Sequence, residues 1–429
     1  MTRYSVLGTR YFVPMRDTAD IVIVGAGIMG LSVAHQIARR TSTRITIVEK
    51  APNVGEGATG ASSAILRQRY THPEAMTVAR DGLKAHRNWA AYTGVDEPKA
   101  RFHHTGVLWM MGEDEATLQA EHDTMTGLGI GVTIMEPADV RREFPALNTC
   151  NRPFDLTFEV DHECADHEPG FLFEIESGFF DPVSAAQDLL MAVRRDGVEV
   201  RFNTAVVGVR TAGGRVEGVD LADGSGIDAP ILVNAAGPWA PRLAAMAEVD
   251  YGWSIAPIRA QVMYREWPRD VVPGPIPIVG DSSGGIYFRP EASGVQFLVG
   301  SILEEDEQEI VEDPDRFNNN LDAAFRDVKI HALHHRIPSL PYRGQITGLA
   351  GMYDMNFDDV HPVIGPTPLD GFIAVNGFSG HGFKESPAIG SMLARFLTDA
   401  EADEWDTDAP MEFFSIDRDP IEVEKGVLA

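Results

Sequence analysis

One glycine-rich motif early in the chain has the residue types and the spacing of a nucleotide-phosphate site. Gly25, Gly27 and Gly30 form a GxGxxG pattern. In such a pattern the first glycine permits a tight turn, the second lets the backbone approach a pyrophosphate, and the third allows close packing of helix and strand. Glu49 ends the next apolar run, where its carboxylate can bind ribose hydroxyls and would repel a 2′-phosphate. The pattern predicts an NAD or FAD site and disfavours NADP.

The elements around this motif would position it as the chemistry requires. A β-branched run at 20–24 precedes the glycines, an apolar helical stripe extends from Ile28 to Ala38, and a second strand covers 43–49. This order predicts a βαβ unit with the glycines at its first turn. The start of the helix, at Ile28 and Met29, would offer free N–H groups and the positive end of the helix dipole to phosphates.

The rest of the chain predicts two interleaved domains of an α/β protein. Helical patterns cover 73–92, 112–125, 181–195 and 313–335, and strand patterns cover 198–202, 206–209, 215–221, 231–233, 258–264, 285–289, 296–299 and 372–375. Nucleotide-type elements lie at the start, middle and end, with sheet-like segments between them. We assign 18–94, 156–245 and 345–400 to the cofactor domain, 95–155 and 246–344 to the substrate domain, 1–17 to an N-terminal extension and 401–429 to a tail.

Composition restricts the partners and the location of the protein. The 429 residues include 36 Lys+Arg and 64 Asp+Glu, for a net charge of −28. So acidic a chain repels phosphate backbones and anionic lipid, which disfavours nucleic acid and membrane surfaces as partners. No apolar run approaches the roughly 18 residues of a membrane span. Two cysteines do not make a disulfide framework, and the first twenty residues lack the apolar core of a signal peptide. We expect a cytoplasmic protein.

Four segments in the same order resemble the D-amino-acid oxidase superfamily of FAD-dependent oxidoreductases, in particular its sarcosine oxidase, glycine oxidase and dimethylglycine dehydrogenase branch. They are the βαβ motif, the small-residue loop that ends in Ile65-Leu66-Arg67, the segment Asn234–Trp239 and the segment Gly377–Lys384. A weaker match lies at 413–418. The resemblance implies an FAD-binding Rossmann-type domain interleaved with an α+β substrate domain that carries a largely antiparallel sheet.

The resemblance also implies which residues contact FAD. They are Gly25, Gly27, Ile28, Met29, Gly30, Glu49, Lys50, Ala61, Ser62, Ser63, Val206, Ala236, Gly237, Trp239, Gly351, Gly380, His381, Gly382, Phe383 and Lys384. The loop at 55–63 alone is consistent with a segment along an extended cofactor or with a surface loop.

The family's reaction removes hydride from a carbon next to an amine nitrogen and leaves an imine that water hydrolyses. The resemblance implies a small carboxylate-bearing amine as substrate, held by Arg67 and Lys384, with Tyr287 over the flavin. Arginine provides a planar bidentate fork for a carboxylate and lysine a point charge. A surface Arg67, or a Lys384 bonded to its own turn, is the alternative. Oxidation of a 2-hydroxy acid or D-amino acid, or a non-catalytic assembly role, also remains open.

Several positions depart from the family pattern. Gly351-Met352-Tyr353 replaces a Cys-Met-Tyr string, and the loop at 59–61 has no histidine, so we expect non-covalent FAD. Leu298 and Ile302 replace a lysine and a histidine of sarcosine oxidases, and Ala64 replaces an arginine. A missing cation near the flavin favours an electron carrier as acceptor, although oxygen remains an alternative.

Other polar clusters are less specific. Glu385 follows Lys384 and could turn outward, pair with Lys384, or meet a cationic substrate group. The segment Asp161–Glu168 contains two histidines, one cysteine and acidic residues, but its spacing matches no tetrahedral zinc pattern. We interpret it as a solvated loop, interpret His331–His335 as helix surface, and predict no metal.

Overall fold

The computed structural model describes residues 16–155 and 162–422. Within these ranges the chain forms four sheets, ten α-helices and three 3₁₀-helices. The α-helices are Ile28–Ala38, Ala58–Ala61, Pro73–Arg87, Trp89–Thr93, Glu115–Gly127, Pro137–Glu143, Pro182–Arg195, Ala240–Met246, Ala323–Arg336 and Gly382–Leu397, and the 3₁₀-helices are Gly237–Trp239, Glu304–Glu307 and Met411–Phe414. No helix in the described part is long and apolar enough to cross a membrane. Most of the predicted N-terminal extension lies outside the described residues.

A six-stranded sheet carries the glycine motif. Its strands, in spatial order, are Glu199–Arg201, Ile45–Val48, Ile21–Val24, Ile231–Asn234, Phe372–Asn376 and Val363–Pro366. The pairs are parallel except the last, which is antiparallel. Most of their β-branched residues are buried, as is typical of parallel strands covered by helices. The strand order brings the early, middle and late segments of the chain side by side, as predicted.

Helix Ile28–Ala38 is buried because helices Pro182–Arg195 and Gly382–Leu397 pack against it. Small residues make the second contact close: a Cβ added at Gly390 would lie 2.7 Å from the carbonyl oxygen of Ser32. Together with the sheet, these helices enclose the larger apolar core. The core therefore fixes both glycine-rich turns, since one helix begins at each.

An eight-stranded sheet forms the second layer. Its strands, in spatial order, are Ile346–Asn356, Ile255–Glu266, Gln296–Ser301, Ile286–Pro290, Ile278–Asp281, Val107–Met110, Phe171–Glu174 and Val132–Met135. All pairs are antiparallel except that between Ile278–Asp281 and Val107–Met110. The predicted division places residues 171–174 and 346–356 with the cofactor domain, whereas their backbones pair within this sheet. The α/β fold with a largely antiparallel second sheet is confirmed.

Two smaller sheets complete the fold. One orders Arg16–Thr18, Gly226–Asp228, Arg215–Leu221 and Val206–Ala212, and the other orders Ile65–Leu66, Gly178–Phe179 and His103–His104. In the second, strand Gly178–Phe179 pairs with both Ile65–Leu66 and His103–His104, so this sheet holds the segment just before Arg67.

The helix expected over 313–335 is wrong in its first part, because the helix begins at Ala323. Residues 313–322 instead make side-chain and backbone bonds that compete with a helix. The side chain of Asn318 accepts from the N–H of Asn320 at 3.1 Å. The buried Arg259 donates to the carbonyl oxygens of Asn318 and Asn320 at 2.7 and 2.6 Å.

Candidate active site

A cavity of about 510 Å³ runs from the first glycine-rich turn to the junction of the two large sheets. This volume lies within the roughly 300–1,000 Å³ range of cofactor and ligand sites. Every residue that the sequence suggested for FAD or substrate contact lines it except Gly30. Gly30 packs beneath the turn, where an added Cβ would lie 2.1 Å from the carbonyl oxygen of Gly25. The fold therefore brings the suggested residues to one place, and their contact with ligands stays a prediction.

The glycine turn has the geometry that a phosphate site requires. Gly25 has φ +109°, and a Cβ there would lie 2.4 Å from the carbonyl oxygen of Ala235. The carboxylate of Glu49 accepts from the N–H groups of Ala26 and Ala51, both at 2.8 Å. Glu49 thus fastens the turn from the next strand, a structural role that the ribose prediction did not include. Gly27 precedes the helix and has no side chain to cap it, but the N–H of Ile28 donates to Thr59 Oγ1 at 3.0 Å, so the expectation of a free donor at Ile28 is wrong.

One rim of the cavity combines Lys50 and Trp239, which were predicted, with Asp315 and Arg242, which the sequence analysis missed. Asp315 pairs with Lys50 and accepts from Trp239 Nε1 at 3.0 Å and Arg242 at 2.9 Å. The hydrogen bond from Lys50 is the main cause of a lowered pKa of Asp315. Lys50 Nζ also lies 3.7 Å from the ring centroid of Trp239. The acidic segment around 315 gave no local signal, because its partners come from distant parts of the chain.

Small residues line the middle of the cavity, where a flat, extended ring system fits. Ala61 and Gly351 approach so closely that a Cβ at Gly351 would lie 2.5 Å from Cβ of Ala61. Both cysteines of the chain, Cys150 and Cys164, lie outside the lining. Among the described lining residues, His381 is the sole histidine. The donor groups and small residues present here therefore fit FAD.

Arg67 and Lys384 line the same end of the cavity and are both buried. The guanidinium carbon of Arg67 lies 4.0 Å from the ring centroid of Tyr70 and 5.7 Å from that of Trp109. Lys384 Nζ lies 5.7 Å from the centroid of Tyr70 and donates to the carbonyl oxygen of His381 at 3.4 Å. The surface alternative for Arg67 is wrong. Lys384 does bond to its own turn, but through a long contact that leaves its other hydrogens available.

Two features outside the cavity hold these cations. Buried Glu174 accepts from the N–H groups of Gln68 and Arg69, at 2.8 and 3.0 Å, and so fixes the segment after Arg67. Gly82 lets the first turn of helix Gly382–Leu397 come close, since a Cβ there would lie 2.0 Å from the carbonyl oxygen of Lys384. Neither role had a sequence signal, because both depend on tertiary contact.

Burial shifts the titration of the groups around the two cations. Desolvation, helped by Arg67, lowers the pKa of Lys384 to about 7. Desolvation raises the pKa of Glu385 to about 7, against the opposing effect of Lys384. Burial also holds the pKa of His381 well below its usual value. Glu385 is 2% exposed, so the outward orientation is wrong, and its pairing with Lys384 or with a cationic substrate group stays a prediction.

Tyr287 and Tyr353 form the face supplied by the eight-stranded sheet. A Cβ at Gly300 would lie 2.3 Å from the ring of Tyr287, so Gly300 leaves the space that this ring occupies. Tyr353 Oη donates to Glu307 Oε1 at 2.5 Å, and burial raises the pKa of both groups. Tyr353 and Glu307 are further lining residues that the site prediction omitted.

The positions that lack a family cation differ in their surroundings. Leu298 is buried within the sheet, whereas Ile302 lines the cavity. Ala64 is buried with φ +48° and its N–H donates to Ser62 Oγ at 3.0 Å. Ala64 therefore has a strained, left-handed backbone conformation beside the cavity. Its side chain brings no charge to this position.

The fold and this cavity define a nucleotide-cofactor oxidoreductase, and a family comparison identifies it further. The family model described as DAO, FAD dependent oxidoreductase, matches residues 20–396. The chain belongs to this family, and FAD is its cofactor.

Individual relatives cover most of the chain. A Xenopus laevis protein named FAD-dependent oxidoreductase domain-containing protein 1 is 28% identical over 424 residues, covering 89% of this chain and 80% of the relative. Monomeric sarcosine oxidase of Streptomyces avermitilis is 26% identical, covering 89% and 94%. The solved L-proline dehydrogenase from P. horikoshii has a TM-score of 0.77 at 22% identity, covering 94% of this chain and 98% of that chain. This last likeness concerns the fold.

Proposed function

We propose that this enzyme oxidises the C–N bond of a small N-methyl or other secondary amino acid. The observation that carries the proposal is the presence of Arg67 and Lys384 at one buried end of the FAD cavity. Two cations buried side by side repel each other, as the lowered pKa of Lys384 beside Arg67 indicates, and an anion bound between them would offset that repulsion. A carboxylate is the anion that an amino acid provides.

The two cations have distinct tasks in this proposal. Arg67 binds the carboxylate through its planar fork, and Lys384 supplies a second positive charge. A hydrogen bond to a charged group contributes about 1.5–3 kcal/mol net. The same positive charges disfavour the ammonium form of a bound amine, and the neutral amine is the form that can release hydride. Bound FAD supplies the hydride acceptor at its N5 position.

Aromatic side chains enclose the reacting part of the substrate. Tyr70 and Trp109 lie against Arg67, and Tyr287 contributes from the eight-stranded sheet that also carries Trp109. These rings exclude water and present apolar surface to an N-methyl group or a short carbon chain. The relative named monomeric sarcosine oxidase supports a secondary amino acid as substrate.

The electron acceptor is part of the same proposal. Leu298 and Ile302 provide no cation beside the flavin region, which favours a protein or quinone carrier over oxygen. Non-covalent FAD and a cytoplasmic location also remain elements of the proposal. Reduction of an artificial carrier dye, compared with hydrogen peroxide formation in air, measures this preference directly.

Anaerobic stopped-flow absorption tests the substrate class. The holoenzyme is mixed with sarcosine, dimethylglycine and other N-methyl amino acids, and bleaching of the flavin is followed. At least one of them should bleach the flavin rapidly, whereas lactate and 2-hydroxyglutarate should not. Bleaching by a 2-hydroxy acid or a primary D-amino acid alone would contradict the proposal, and no bleaching by any small acid would favour an assembly role.

Matched variants test the carboxylate site. Arg67→Met and Lys384→Met should each raise the apparent Kd for the reducing amino acid by roughly 10- to 150-fold. Lys99→Met removes a cation on the exposed surface and should leave the Kd unchanged. Unaltered affinity in both cavity variants, with FAD still bound, would refute the roles assigned to Arg67 and Lys384.

A further inference from the structure

A cluster of two cysteines and two histidines lies apart from the flavin cavity. Sulfur or nitrogen atoms of Cys150, His162, Cys164 and His335 all lie within 4.8 Å of one another. Cys150 Sγ and His162 Nε2 are 3.2 Å apart. None of these four described residues lines the flavin cavity. The cluster therefore needs an explanation that the flavin reaction does not give.

The fold brings the four side chains together from two separate parts of the chain. The backbones of Cys150 and Asp166 form an antiparallel bridge, which closes the loop between them. Cys164 therefore lies near Cys150. His335 arrives on the last turn of helix Ala323–Arg336. The side chain of Asn148 connects the two parts, because it donates to Cys164 Sγ at 3.5 Å and to the carbonyl oxygen of His335 at 3.1 Å.

The surroundings of His335 indicate a missing bond partner for its ring. Nε2 of His335 is buried and has no hydrogen-bond partner among the described residues. Phe154 stacks on the His335 ring at 4.1 Å and meets the ring of His162 at 5.6 Å, so it covers both imidazoles. A buried polar nitrogen without a partner is unfavourable and indicates an absent ligand.

We propose that Cys150, His162, Cys164 and His335 form a structural zinc site. Two thiolates and two imidazoles are a common ligand set of closed tetrahedral zinc sites. With bonds of about 2.3 Å to sulfur and 2.0 Å to nitrogen, neighbouring ligand atoms in such a site lie roughly 3.3–3.8 Å apart. The 3.2 Å pair already approaches this spacing. The pairs that are up to 4.8 Å apart would shorten by about 1 Å when the ion binds. Two thiolates cancel the charge of Zn²⁺ and leave a neutral site.

A buried ion pair supports the ligands from behind. Arg336 and Asp281 have no exposed side-chain surface and pair at 2.6 Å. The guanidinium of Arg336 also donates to the carbonyl oxygens of Asn148 and Cys150, the second at 2.9 Å. These bonds fix the backbone of Cys150 and place a positive charge near the thiolates. Because all four coordination positions are protein ligands, the zinc would clip the loop to the helix and would not act on a substrate.

This proposal changes two expectations from the sequence. The segment Asp161–Glu168 was interpreted as a solvated loop without metal, and Asp161 lies outside the described residues. His331–His335 was interpreted as surface, whereas His334 is buried and His335 is partly buried. The spacing within 161–168 matches no zinc pattern because this loop supplies only two of the ligands, His162 and Cys164. The other two are Cys150, which precedes the loop, and His335, which lies on a distant helix.

Metal analysis of the purified full-length holoenzyme tests the site. Mass spectrometry of the metals should find close to one zinc per chain after purification without chelator. Co²⁺ added to metal-depleted protein should give the intense absorption of tetrahedral cobalt thiolate, at longer wavelength than the flavin bands. A strong chelator should lower the Tm while FAD stays bound. Absent zinc uptake, or a cobalt spectrum without thiolate character, would overturn the proposal.

Variants and thiol titration separate zinc from a disulfide. Cys164→Ser and His335→Gln should lose most of the bound zinc, whereas His167→Gln, in the same loop but outside the cluster, should keep it. Flavin content checks that each variant has folded. The native protein should contain two titratable thiols once zinc is removed. Two oxidised cysteines without metal, or full zinc content in both ligand variants, would contradict the proposal.

Discussion

The lowered pKa of Lys384 predicts that carboxylate binding weakens as pH rises through neutrality. The pKa of Lys384 is about 7, and that of Glu385 is raised to about 7. Below pH 7 the ammonium is present and Glu385 is neutral. Above pH 7 Lys384 loses its charge and Glu385 gains one, so both changes remove net positive charge from the cavity end. An anion is therefore bound best on the acidic side.

The magnitude follows from proton linkage at Lys384 alone. A bound carboxylate restores the charge of the ammonium, so the Kd should increase tenfold per pH unit above 7. Between pH 6 and pH 9 this amounts to roughly 90-fold, or about 2.7 kcal/mol. Methoxyacetate is a suitable probe, because it has the shape of sarcosine without the amine. Its Kd is measured from the shift of the flavin absorption spectrum in a pH series.

Two variants separate Lys384 from the other cation. Lys384→Met should weaken binding at low pH and remove most of the pH dependence. Arg67→Met should weaken binding and move the decline to higher pH, since the loss of the neighbouring guanidinium raises the pKa of Lys384. Methoxyacetamide, which is neutral, should bind with no pH dependence. A flat profile in the unmodified protein, or an unchanged slope in Lys384→Met, would refute the role of this ammonium.

Three further predictions concern the framework of the site. Gly351→Ala adds a Cβ 2.5 Å from Ala61 and should raise the Kd for FAD, measured by flavin fluorescence. An unchanged Kd would mean that the two segments can separate freely. Asp281→Asn breaks the buried pair with Arg336 and should lower the free energy of unfolding by about 3–5 kcal/mol in urea titration. A loss below about 1 kcal/mol, typical of an exposed pair, would contradict that burial. Burial raises the pKa of Asp354 to about 6 from 3.8, so its contribution to stability is full below pH 3.8 and is lost as pH rises through 6. Asp354→Asn should therefore flatten the decline of Tm across this range, and a decline as steep as before would exclude Asp354 as its source.

Local patterns predicted the nucleotide-binding half of the site, and tertiary contacts decided the rest. The glycine turn, its helix and Glu49 follow one another in sequence, so their spacing carries the whole signal. Arg67 and Lys384 were suggested by resemblance to a family, and the fold brings them together because the strand Ile65–Leu66 and the helix Gly382–Leu397 meet at the cavity. Asp315 had no signal, since its partners are distant in sequence.

The proposed zinc ligands show the same limit of local sequence patterns. Cys150 and His335 lie on different elements. They are neighbours only because helix Ala323–Arg336 packs against the loop that contains Cys150. A zinc motif is recognised in a sequence from ligands that are close together, so it could not identify two ligands that are far apart. The burial of Glu385 could not be predicted either, because a glutamate near the start of a helix is usually exposed.

The arrangement of the six-stranded sheet has a consequence for how the protein is made on the ribosome. Strand Ile231–Asn234 is flanked by Ile21–Val24 and Phe372–Asn376, so the centre of the sheet stays unpaired on one edge until the late strand has emerged. Non-local pairing of this kind slows folding and leaves nascent intermediates prone to aggregation. Chaperone dependence during synthesis should therefore exceed that of a protein whose nucleotide-binding unit is continuous.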